Sequence, residues 1–177
     1  MFQIEDPLSM ADLKVTDISS ARFALKAAND YHFAVIHMRA EMEKALARSR
    51  QENQAQALKL IQQFVFITTS EGFTRPISYI PEPLPEEVPQ WVRTGIAQMA
   101  SQLEKETERA EAELAQDSEP LLEMEDILCD KVKTWFVAQV RNRPQWLGSF
   151  TEITLGGCTL QYSGGNVTFN FSELNYD

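Results

Sequence analysis

Apolar residues recur every three or four positions between Asp17 and Arg48: Ala21, Leu25, Ala28, Tyr31, Val35, Met38, Met42 and Ala45, with no Gly or Pro among them. That spacing keeps them on one side of an α-helix and predicts a helix of ~30 residues, ~45 Å long. A hydroxyl at Ser19 or Ser20 suits its start, where it can accept an orphan backbone N–H. Phe23, Phe33 and Ile36 lie off the main stripe, so cover from more than one side is expected. A second helix follows to about Ile67, with Leu58, Ile61 and Val65 on one face. Its tail, QFVFITT, gathers β-branched and aromatic residues, and a strand is the alternative there. Residues 1–69 therefore form an N-terminal helical pair.

Residues 70–89 hold five of the eight prolines. Each removes a donor and pushes the residue before it out of helical space, so an extended connector is expected, pinned by Ile77, Tyr79, Ile80 and Leu84. Pro89 suits a first helical position. Beyond it Val92, Ile96, Met99, Leu103, Ala110 and Leu114 form the stripe of a third helix, to about Gln116. Asp117 or Ser118 reads as the cap of a fourth, with Pro120 in its first turn and the stripe Leu121, Met124, Leu128, Val132, Trp135 and Ala138. The short break between them predicts a helical hairpin over residues 90–143.

After Gly148 the period changes to two. If Gly156-Gly157 and Gly164-Gly165 are two-residue hairpin turns, the register is set. Leu155 then pairs with Cys158 and Ile153 with Leu160. Tyr162 pairs with Val167, Leu160 with Phe169 and Cys158 with Phe171. Ile153, Leu155, Cys158, Leu160, Tyr162, Val167, Phe169 and Phe171 then share one face, and Thr154, Thr159, Gln161, Thr168 and Asn170 share the other. A slip of one residue would scramble that sorting. The expected fold is predominantly helical α+β: about four helices, two of them long, with a three-stranded antiparallel meander over residues 149–172 laid on them. A single domain is expected for 177 residues.

The glycine pairs do not match a phosphate-binding loop, since no helix start follows them and no Lys or Arg is near. Two cysteines, Cys129 and Cys158, suggest a reduced, cytoplasmic setting. Cys158 falls on the apolar face as a small core residue. The N-terminus lacks the pattern of a signal peptide, and no apolar run approaches the ~20 residues of a membrane span.

The net charge of −10 is placed unevenly: residues 104–130 hold eleven acidic residues against Lys105 and Arg109, a net −9. Direct nucleic-acid binding by that surface is disfavoured, because such affinity rests on neutralising phosphates. A basic protein partner is compatible with it. His32 and His37 stand five apart on the first helix, so their rings diverge by ~140° and cannot share a metal ion. Glu119, Glu123, Asp126 and Asp130 follow at i, i+4, i+7 and i+11. Carboxylates so spaced could form half of a Mg²⁺ or Mn²⁺ site in a helical bundle, although a solvated helix face is the ordinary outcome for a charge run. Trp135 belongs to the apolar stripe, whereas Trp91 and Trp146 stand near helix ends beside prolines, where they close the core or anchor a partner.

The expected function is a non-enzymatic interaction or assembly subunit, with no cofactor, acting through helical surfaces on a protein partner or a second copy of itself. Trp91, Trp146, Glu104, Glu108 and Glu111 are the candidate partner-binding residues. An acidic inhibitor or nucleic-acid mimic, occupying the basic groove of a nuclease or DNA-binding protein, is the alternative. A divalent-metal-dependent helical phosphohydrolase built on the acidic row is the second alternative.

Overall fold

The computed structural model describes residues 4–142 and 152–173. Its elements are α1 (Pro7–Met10), α2 (Ile18–Ile61), β1 (Phe66–Thr68), β2 (Thr74–Pro76), α3 (Gln90–Asn142), β3 (Glu152–Leu155), β4 (Cys158–Ser163) and β5 (Asn166–Phe171). The fold is mostly helical α+β, with two long helices and a C-terminal three-stranded antiparallel sheet. The chain divides into two compact units, one of residues 1–39 with 114–177 and one of residues 40–113.

Both predicted helical pairs are fused. α2 runs unbroken through the junction near Arg50, where the sequence offers no Gly or Pro to stop it. α3 runs through Asp117 and Ser118 with Pro120 inside it, so no helical hairpin forms there. Ser118 is turned inward, 7% exposed, and its hydroxyl donates to the Ala115 carbonyl at 3.4 Å. An interior proline costs ~3 kcal/mol. The apolar stripe continuing into Leu121, Met124 and Leu128, all buried, offsets that cost. α2 is capped by Asp17, whose carboxylate accepts from the Ser20 N–H at 2.7 Å, while the Ser20 hydroxyl accepts from the Thr16 and Asp17 N–H groups. Ser20 thus closes a reciprocal cap that Asp17 begins.

In the first unit, Ala21, Ala24, Leu25, Ala28, Tyr31 and Val35 of α2 meet Leu121, Met124, Leu128, Val132, Trp135 and Phe136 of α3. The meander completes this core through Leu155, Cys158, Leu160 and Val167. Its register is the one the glycine pairs predict: Leu155↔Cys158 and Ile153↔Leu160, then Tyr162↔Val167, Leu160↔Phe169 and Cys158↔Phe171. All four turn glycines have positive φ, between 56° and 85°, as a two-residue hairpin of this kind requires. The N-terminal segment is tied to the same unit. The Tyr31 hydroxyl donates to the Glu5 carbonyl at 2.7 Å, and the Lys131 ammonium donates to the Ala11 and Leu13 carbonyls at 2.6 and 2.8 Å.

In the second unit, Leu46, Ala57, Ile61, Ile77, Val88 and Val92 are buried. The tail of the predicted second helix is a strand instead. α2 ends at Ile61, and β1 pairs with β2 in the register Phe66↔Pro76, Ile67↔Arg75, Thr68↔Thr74. Clustered β-branched and aromatic residues favour that outcome. Ile77 is a buried pin of the connector, whereas Tyr79 and Ile80 are exposed. Arg93 gathers the connector by donating to the carbonyls of Leu84, Pro85 and Val88.

Candidate functional site

The densest group of chemically capable side chains lies in the first unit, where α2, α3 and the meander meet. His32 Nδ1 stands 3.2 and 3.3 Å from the two carboxylate oxygens of Glu125. The imidazole stacks on Phe171, with centroids 4.8 Å apart, and meets Phe33 edge-on at 5.2 Å. The Glu125 side chain is 14% exposed. Burial pushes its carboxyl above the usual glutamate range, and the His32 ring opposes that shift.

Cys129 follows one turn after Glu125 on α3, and Cys158 lies on β4. Burial, reinforced by the neighbouring Cys158 and by Glu125 and other carboxylates, pushes the Cys129 thiol up to about 12. Burial likewise raises Cys158 to about 11, against a backbone hydrogen bond from Asn170 that favours the thiolate. Both sulfurs are therefore protonated near neutrality, and a thiol is a poor nucleophile. The group works as a fastener: an imidazole–carboxylate pair bridges the two long helices beneath a stacked phenyl ring.

A second set of contacts secures the end of β5 to α2. The Asn29 side-chain amide donates to the Ser172 carbonyl at 3.0 Å. His37 Nε2 lies 2.9 Å from a Glu173 carboxylate oxygen. The two histidines thus reach different partners, Glu125 and Glu173, as their angular separation requires.

The carboxylates singled out from the sequence stand elsewhere. Glu119, Glu123, Asp126 and Asp130 are all exposed, as are Glu104, Glu108 and Glu111. Among the described residues, no group of three or more His, Cys, Asp or Glu side chains is placed to hold a metal ion. Trp91 is 61% exposed and meets Phe64 edge-on at 5.9 Å. Trp146 lies outside the described residues. A shallow cleft of about 710 Å³ runs between the Ala11–Val15 segment and Asp130, Lys131, Thr134 and Trp135 of α3. A groove of about 470 Å³ in the second unit is lined by Gln51, Gln54, Leu58, Tyr79 and Ile80, among others.

Compared with family models, curated proteins and solved structures, the chain matches none. Among the described residues, no helix is long and apolar enough to cross a membrane.

The His32–Glu125 pair was not singled out from the sequence. Its members are 93 residues apart, and Glu125 sits in a run of acidic residues whose other members face water. The available signal was positional: Glu125 falls one residue after Met124 and three before Leu128, at the margin of the buried stripe.

Proposed function

We propose that this chain is a non-enzymatic interaction or assembly subunit that binds another protein through its helical surfaces. The supporting observation is the set of large apolar side chains left exposed on the two long helices. Phe23 (44%) and Ile36 (46%) lie on α2, with Leu122 and Ile127 (both 42%) and Trp91 (61%) on α3. Each belongs to a well-formed helix with a packed side, and each offers a large apolar side chain that a partner could cover. Leu122 and Ile127 flank the row Glu119, Glu123, Asp126 and Asp130, so α3 offers apolar anchors beside charge. Affinity capture from the native host, with cross-linking and mass spectrometry, tests the reading. Leu122→Glu combined with Ile127→Glu should abolish capture while leaving the melting temperature nearly unchanged. Capture that survives both substitutions would remove the Leu122–Ile127 part of α3 from the interface.

The exposure of every candidate carboxylate favours a basic partner as the more specific reading. Among the described residues, the acidic residues between Glu104 and Asp130 that face an ion-pair partner are Glu113, with Arg109 at 2.9 Å, and Glu125, with His32 at 3.2 Å, which leaves most of the negative charge available. Such an interface associates faster at low salt. A complex whose association rate is insensitive to ionic strength argues against it, and against the nucleic-acid-mimic variant of the same idea.

A further inference from the structure

The β1–β2 ribbon has one open edge and one blunted edge. The Ile77 N–H donates to the Val65 carbonyl at 3.2 Å, and the Thr69 N–H donates to the Phe73 carbonyl at 2.8 Å. Bonded and non-bonded pairs alternate along an antiparallel ladder. Ile67↔Arg75 is therefore the bonded pair between those two, and Phe66↔Pro76 and Thr68↔Thr74 are non-bonded pairs. The backbone groups of a non-bonded pair point away from the partner strand. On β1 this leaves the N–H and C=O of both Phe66 and Thr68 facing outward. On β2 the corresponding edge carries Pro76, which has no N–H to offer, a common way of blocking strand addition.

Phe66 and Thr68 are exposed, and among the described residues no turn, loop or cap hydrogen bond reaches either. Phe66 (54%), on β1, and Phe73 (68%), in the loop joining the strands, are more than half exposed. A ribbon of two three-residue strands is marginal by itself and gains from further strands.

We propose that the open edge of β1 is a self-association site, pairing antiparallel with β1 of a second copy about a two-fold axis through Ile67. In that register Phe66 of each copy faces Thr68 of the other, and four outward backbone hydrogen bonds form in two reciprocal pairs. The strand order becomes β2-β1-β1-β2, with a Pro76 edge on each outer side, so the assembly closes at two copies. The edge is self-complementary about that axis, and charge does not oppose a second copy there. The net −9 segment 104–130 would repel its own copy, but Gln62–Pro81 carries only Glu71 and Arg75, net zero. The edge and the exposed rings thus occupy an uncharged stretch of an acidic chain, where like meets like without electrostatic cost. This proposal does not rest on the helical surfaces, and its failure would leave the reading given under Proposed function intact.

Sedimentation velocity on the full chain, from micromolar to millimolar concentration, tests it. The wild type should show a monomer–dimer equilibrium. Thr68→Pro removes an outward N–H that the ribbon does not use, two of the four bonds by symmetry, and should weaken association roughly 10- to 30-fold. Thr74→Pro removes the matching N–H on the blunted edge and should leave association unchanged, which controls for the effect of proline on folding. Ile67→Cys should give a cross-linked dimer under mild oxidation with an added copper–phenanthroline oxidant, since non-bonded antiparallel partners lie within disulfide reach. A wild type that stays monomeric throughout, a dimer indifferent to Thr68→Pro, or an Ile67→Cys chain that does not cross-link would each overturn the proposal.

Discussion

The chain holds two small antiparallel sheets whose surroundings differ sharply. The meander β3-β4-β5 buries one face on the helices, with Cys158 and Leu160 fully inaccessible and Leu155 at 4%. The β1–β2 ribbon has one half-buried residue, Ile67, among the six in its strands. The meander's first turn is also pressed against α2. A Cβ at Gly156 would stand 2.6 Å from the Arg22 carbonyl oxygen and 2.9 Å from the Lys26 nitrogen, whereas one at Gly164 would meet nothing within 4 Å. The turn glycines therefore carry different burdens. All supply positive φ, but Gly156 also permits the sheet to approach the helix backbone.

The largest expected effect separates those two turns. Gly156→Val forces a side chain into the α2 backbone on top of positive-φ strain, and should cost roughly 3–5 kcal/mol. Chemical denaturation would show this as a large drop in midpoint or as loss of the cooperative transition. Leu160→Ala removes a fully buried side chain on the same face and should cost about 2–4 kcal/mol. Gly164→Ala adds only the left-handed backbone penalty, about 1 kcal/mol. Equal destabilisation by substitution at Gly156 and Gly164 would mean that the close approach to α2 is not real.

A smaller, tunable effect is expected where the end of β5 meets His32 and Glu125. Burial raises the Glu125 carboxyl in the folded chain, so across that window the folded state binds more protons than the unfolded state. Stability contributed by this group is thus largest below the ordinary glutamate range, and falls as pH rises from that range through the raised folded value. Glu125→Gln should flatten that part of a melting-temperature profile taken between about pH 4 and pH 7. An unchanged slope would assign it to other carboxylates. Least of all, Phe66→Ala in the ribbon should shift monomer stability by within about 0.5 kcal/mol, because its ring is more than half exposed. A loss comparable with that of Leu160→Ala would show that the ribbon is covered after all.

The same contrast explains which parts of the fold were legible in the sequence. The meander was readable to its register, because two Gly-Gly turns and strict alternation are local signals that admit one consistent sorting. The ribbon is less legible: QFVFITT is too short for its periodicity to decide between helix and strand, and Thr74–Pro76, its partner, lies in a proline-rich stretch that reads as an extended connector. A helical hairpin is what the sequence suggests near residue 117, because Asp117, Ser118 and Pro120 have the chemistry of a helix start, yet α3 runs through them. Local preference lost there to a buried stripe that runs on through Ser118 and Leu121. His32 and Glu125 were out of reach for another reason: a pair separated by 93 residues has no local pattern, and one inward carboxylate among many outward ones leaves no trace in charge counts.

The buried Cys158 thiol and the half-buried Cys129 thiol have a practical consequence for anyone probing this molecule. Burial pushes Cys158 up to about 11 and Cys129 up to about 12, so both stay protonated near neutrality, and alkylating reagents attack the thiolate. The wild-type chain, whose only cysteines are these two, is therefore already a quiet background for labelling. A fluorophore or spin label attached through one cysteine introduced on an exposed helix position should report from that position alone, without first stripping the native thiols from the core.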